Sequence, residues 1–127
     1  MLTKPAFYLG ALFGLTATGL GAYGAHGLAA AGTRPELVAA FNTAVQYQFY
    51  HGLALLVTAL LLRQKPGPAL YFAALLFVLG TLLFCGSIYA LVLLGTKGIG
   101  FLTPLGGVCF MAAWLSLLLA GRSWLRS

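Results

Sequence analysis

Long apolar stretches alternate with short charged ones along this chain, and the spacing of the charges dictates the elements. Seven basic side chains and one acidic side chain fall in five clusters: Lys4; Arg34 and Glu36; Arg63 and Lys65; Lys97; and Arg122 and Arg126. Between them run four stretches without a formal charge: Pro5 to Thr33, Leu37 to Leu62, Pro66 to Thr96, and Gly98 to Gly121. As a helix, each is long enough to cross a hydrocarbon core of roughly 30 Å, which needs about 20 apolar residues. The pattern predicts an all-α integral membrane four-helix bundle. It is a single domain over residues 1–127, with spans near 6–28, 42–62, 69–94 and 103–120.

Local signals mark the helix faces and ends. The first span carries Gly10, Gly14, Ala17, Gly21 and Gly24 at helical spacing. A stripe of small residues lets a neighbouring backbone approach closely, so this face is predicted to pack helix on helix. Thr33-Arg34-Pro35-Glu36 reads as a capping box opening the second helix, with Thr33 as N-cap and Glu36 three residues on. That gives the only acid in the chain a structural task rather than a catalytic one. Pro66 and Pro68 break the second helix from the third. A glycine-rich loop follows the third, and Thr103-Pro104 reads as the N-cap and first turn of the fourth.

Composition narrows the class. Charged residues make up 6% of the chain, against about 25% in soluble domains, too few to cover a soluble surface. The net charge of +6 is scattered at the span ends rather than gathered in a run, so it is no nucleic-acid footprint. The first apolar run is too long for a signal peptide, and more spans follow. Lys4, Arg63, Lys65, Arg122 and Arg126 share one face of the bundle, and Arg34 and Lys97 the other. The positive-inside rule then predicts both termini in the cytoplasm.

Antiparallel helices collect the polar residues into one layer in the outer half. Tyr23 and His26 close the first helix there. Asn42, Gln46, Tyr47, Tyr50 and His51 line the second, Ser87 and Tyr89 the third, and Thr103 the start of the fourth. Polar groups are costly against lipid tails and normally face the bundle or a wet cavity. Gln46, Tyr47, Tyr50 and His51 are therefore expected to point inward and meet Tyr23 or His26 and Ser87 or Tyr89. The leading expectation is a site for a lipid, quinone or other amphipathic ligand, or for a partner helix. The alternatives are a structural or assembly subunit that binds no ligand, and a small channel or carrier. Membrane lipids, a second copy of the chain or another membrane protein are the expected partners.

No catalytic constellation is evident. No span holds Asp, Glu, Lys or Arg, and no GxSxG, HExxH or P-loop occurs. His26 and His51 are the one pair with haem-ligand chemistry, and their depths do not match. Cys85 and Cys109 lack CxxC spacing and read as small thiols, with a pairing between adjacent helices as the alternative. No metal or cofactor is assigned.

Four blocks in order resemble one known family. They are Gly21-Ala22-Tyr23-Gly24-Ala25-His26-Gly27-Leu28; the Phe41-to-Leu56 stretch holding Tyr47-Gln48-Phe49-Tyr50-His51; Leu83-Phe84-Cys85-Gly86-Ser87-Ile88-Tyr89; and Thr103-Pro104-Leu105-Gly106-Gly107 with Trp114. They are similar to the signature blocks of the YgdD-like family, also called the transmembrane protein 256 family. Cys85 stands where serine is usual in it. The resemblance implies a small multi-pass protein of the bacterial inner (plasma) membrane and transfers no mechanism.

Overall fold

A computed structural model describes residues 2–126 of the chain. It has four long helices: α1, Thr3–Ala30; α2, Pro35–Gln64; α3, Pro68–Leu94; and α4, Leu102–Trp124. All four are long and apolar enough to cross a membrane. Each runs past its predicted span at one or both ends, because a helix can continue into the headgroup region where water takes over its last carbonyls.

The chain packs as successive hairpins. The main contacts are α1 on α2, α2 on α3 and α3 on α4. Two of these crossings are set by glycine. Gly10 of α1 meets Gly52 of α2 so closely that a Cβ on Gly10 would lie 2.9 Å from the Gly52 carbonyl oxygen. On the other side, a Cβ on Gly106 of α4 would lie 2.8 Å from Cα of Phe84 in α3. Lipid offers no hydrophobic drive for helix association, so close backbone approach and interhelical hydrogen bonds must supply it. In the half where α1 begins and α4 ends, the core is apolar but for Thr58, whose hydroxyl donates to the Ala54 carbonyl; Leu55, Ala59, Leu62, Leu70, Ala73, Phe77 and Ala113 are almost wholly buried.

The small-residue face of α1 is used inside the bundle. Ala17 is fully buried, and Gly21 and Gly24 lie against Val45, Phe41 and Asn42 of α2. Gly14 differs: its backbone nitrogen comes near Gly52, yet nothing lies within 4 Å of where its own Cβ would point.

Both predicted N-caps need correction. The α2 helix starts at Pro35 with Arg34 as N-cap and no side-chain cap bond. Thr33 instead closes α1. Its N–H donates to the Leu28 carbonyl (3.0 Å) and that of Gly32 to Ala29 (3.0 Å), with Gly32 at φ +79°. This is a Schellman ending, and it takes the residue that the capping box needed. Glu36 pairs with Arg34 on the exposed surface at 3.4 Å. The α4 helix begins at Leu102, so Thr103 lies inside its first turn and is free to bond elsewhere. At the opposite end, Lys65 Nζ donates to the carbonyls of Ser123 (2.9 Å) and Arg126 (3.1 Å), and Trp124 Nε1 donates to that of Leu61 (3.1 Å). These bonds tie the α2–α3 turn to the end of α4.

Candidate functional site

Two residues two positions apart on a helix point about 200° away from each other. That rule divides the polar part of α2 into two faces. Ala44, Gln48, His51, Leu55, Thr58, Ala59 and Leu62 form the buried face. Thr43, Gln46, Tyr47 and Tyr50 lie on the exposed one, with Tyr47 37% and Tyr50 54% exposed. The expectation that Gln46 and Tyr50 point into the bundle is therefore corrected. Of the four residues predicted to turn inward, His51 does so, and Tyr47 lies at the edge with its ring against Phe84 and Phe110.

The inward polar groups are joined in three small sets. Gln48 Nε2 donates to the Phe13 carbonyl (2.9 Å) and to Thr16 Oγ1 (2.6 Å), while Tyr89 Oη donates to Gln48 Oε1 (2.6 Å). One amide thus links α1, α2 and α3. His51 Nδ1 lies 2.7 Å from the Tyr47 carbonyl, and its Nε2 accepts from Trp114 Nε1 at 3.1 Å. The first contact assigns the proton to Nδ1 and the second leaves Nε2 as acceptor, a neutral tautomer satisfied at both nitrogens. The ring also stacks on Phe110 with centroids 3.6 Å apart, so His51 ties α2 to α4. Ser87 and Thr103 bond to each other across α3 and α4, and Ser87 also donates to the Phe84 carbonyl (3.0 Å). Among the described residues no buried side-chain nitrogen or oxygen lacks a partner.

The remaining candidates are not drawn into these sets. Tyr23 is 43% exposed and meets the ring of Phe41 edge-on. It sits in a π-helical turn, Tyr23–Gly27, and its ring lies over Gly27, where no Cβ would fit. His26 is exposed at the outer end, whereas His51 is buried with both ring nitrogens engaged by Tyr47 and Trp114, so the two do not form a ligand pair. Asn42 is half-buried against Gly24. Tyr47 stacks on Phe84 of α3 with centroids 4.8 Å apart. Cys85 is buried, and its thiol donates to the Ala44 carbonyl at 3.2 Å, a bond that a serine hydroxyl in its place has the chemistry to make. Cys109 is half-buried and also free, so the two cysteines do not pair. No group of three His, Cys, Asp or Glu that could hold a metal occurs among the described residues.

Gln48, Thr16 and Trp114 were not among the predicted site residues. Gln48 carries the clearest missed signal. It stands four residues from both Ala44 and Gly52, on the small-residue face that α1 and α3 approach.

A profile of the family described as "Protein of unknown function (DUF423)" matches residues 20–107. The chain is 40% identical over 124 residues to the UPF0382 membrane protein YwdK of Bacillus subtilis, covering 96% of this chain and 99% of that protein. It is 35% identical over 121 residues to the UPF0382 inner membrane protein YgdD of Escherichia coli, covering 95% of this chain and 91% of that one. No solved structure gives a significant match.

Proposed function

This chain belongs to the DUF423 family and is a multi-pass protein of the bacterial inner membrane, and we propose that it acts there by assembly, docking a second copy of itself on the outer half of α2. The carrying observation is the contrast between the two polar faces of that helix. Gln48 and His51 are satisfied within the bundle, whereas Gln46 and Tyr50 have exposed side chains and make no side-chain hydrogen bond among the described residues. Counted from Arg63 at 1.5 Å per residue, Tyr50 stands about 20 Å and Gln46 about 26 Å up a core roughly 30 Å thick. An amide without a partner in hydrocarbon costs roughly 2–7 kcal/mol, depending on the reference state. A glutamine amide both donates and accepts. Two copies related by a two-fold axis along the membrane normal would close a reciprocal Gln46 pair, with each tyrosine row packed beside it.

The test is the dissociation constant of labelled protein in liposomes, measured by energy transfer between copies. Interhelical hydrogen bonds in membranes contribute about 0.6–1.7 kcal/mol each. Gln46→Leu removes two per dimer and should weaken it by about 7- to 300-fold. An unchanged dissociation constant, or a wild-type protein monomeric at all densities, overturns the reading.

A second reading has its own support. Two clefts, of about 410 and 270 Å³, lie between α1 and α3 and share Leu82. Leu9, Val78, Leu79 and Leu12 line them, and the Gln48–Tyr89 pair backs the outer one. An apolar tail of a quinone or lipid fits such a groove. Leu82→Trp would fill it. Loss of a co-purifying amphiphile with dimerisation intact would favour this ligand reading over assembly alone.

A further inference from the structure

The two clefts that open at the other end of the bundle carry charge. One, of about 400 Å³, is lined by Thr3, Lys4, Leu62, Arg63, Pro66 and Tyr71. The other, of about 450 Å³, shares Thr3, Lys4 and Arg63 and continues along the bundle surface past Phe7, Tyr8, Ala59 and Leu60. Lys4 and Arg63 thus stand at the junction of a polar cleft and an apolar one. We propose that this junction binds one anionic phospholipid, its phosphate held by Lys4 and Arg63 and an acyl chain laid along Phe7 and Leu60.

Three observations converge on that occupant. First, neither cation is spoken for: among the described residues the one ion pair is Arg34–Glu36, and neither Lys4 nor Arg63 makes a side-chain hydrogen bond. Second, no carboxylate side chain lies at this end. Glu36 is the only carboxylate side chain in the sequence, and it opens α2 at the far side of the membrane from Arg63. Third, the paired clefts change from polar to apolar along their length, as a phospholipid does. Thr3 and Tyr71 add a hydroxyl and a phenol at the charged end, and the walls above are aromatic and aliphatic. Basic pockets between membrane helices bind anionic headgroups. The neighbouring basic residues do not offer the same. Lys65 already donates to the carbonyls of Ser123 and Arg126, and the cleft beside it holds only about 70 Å³. Arg122 and Arg126 line neither of the two clefts.

This site is independent of the docking face on α2, and its test does not use that face. Delipidated protein in detergent is titrated with phosphatidylglycerol or phosphatidylcholine, and bound lipid is counted by native mass spectrometry. Wild type should hold one phosphatidylglycerol at least tenfold more tightly than phosphatidylcholine. Lys4→Gln with Arg63→Gln should lose that preference. Arg122→Gln with Arg126→Gln, which removes the same charge from the same end, should keep it. Glycerol phosphate at equal concentration should not displace the lipid, since it lacks the chain. Equal binding of the two lipids, equal loss in both double variants, or displacement by glycerol phosphate would each overturn the proposal. Unchanged helical circular dichroism in both variants is the control for folding.

Discussion

Replacing Gly106 by alanine adds one methyl group, and the fold leaves no room for it. The new Cβ would lie 2.7 Å from Cβ and 2.8 Å from Cα of Phe84, and it would also press on the Phe84 amide nitrogen. Carbon atoms sit comfortably at about 3.5–4.0 Å, so α4 must withdraw from α3 by close to 1 Å. The atoms in the way are backbone, which cannot swing aside as a side-chain tip does. Overpacking of this kind costs about 1–3 kcal/mol. Alanine returns up to about 1 kcal/mol through its higher helix propensity. Gly107 supplies the control, because nothing lies within 4 Å of where its Cβ would go. Gly107→Ala therefore gains the propensity and meets no clash. Unfolding titrations with sodium dodecyl sulfate, read by circular dichroism, should leave Gly106→Ala less stable than Gly107→Ala by about 2 kcal/mol. If the two variants unfold together, or in the reverse order, α3 and α4 do not meet on Gly106 and the packing argument fails.

The same contrast holds on the other side of the bundle. Gly10→Ala should destabilise, since its Cβ would meet the Gly52 carbonyl oxygen at 2.9 Å, whereas Gly14→Ala should be tolerated. Gln48→Leu should cost about 1–3 kcal/mol, because it strands the Tyr89 hydroxyl in the bundle. A double-mutant cycle with Tyr89→Phe should return a coupling of about 0.6–1.7 kcal/mol, and a coupling of zero would deny the bond. Reporter fusions after Lys97 and after Arg126 should report opposite sides of the membrane, with the Arg126 fusion cytoplasmic. The same side for both would contradict four spans.

The helices were legible in the sequence because charge is excluded from hydrocarbon and so punctuates every span. The helix ends were less so. Thr33 and Glu36 have the residue types of a capping box, but Gly32 draws Thr33 into the Schellman ending of α1, a tertiary choice that spacing alone does not reveal. The outer polar layer was legible as a layer and not as a set of directions. Gln46 and Tyr50 stand about 200° around the helix from Gln48, and the buried face is fixed by the small residues Ala44 and Gly52. Reading polarity without reading where small residues invite a neighbour put Gln46 inside and left Gln48 out. The tie from His51 to Trp114 was beyond reach for another reason. It spans 63 positions and depends on how α4 leans on α2.

Assembly through the outer half of α2 is tested most directly by site-specific photocrosslinking in intact membranes. A benzophenone side chain is introduced at Gln46, at Tyr50, at Leu60 on the inner half of the same helix, and at Met111 on α4, all of them exposed. Light should give a product of twice the monomer mass from positions 46 and 50, and lipid adducts alone from positions 60 and 111. A product of another mass from position 46 would replace the second copy by a different membrane protein. Lipid adducts alone from positions 46 and 50, or equal protein products from all four, would contradict a docking face there.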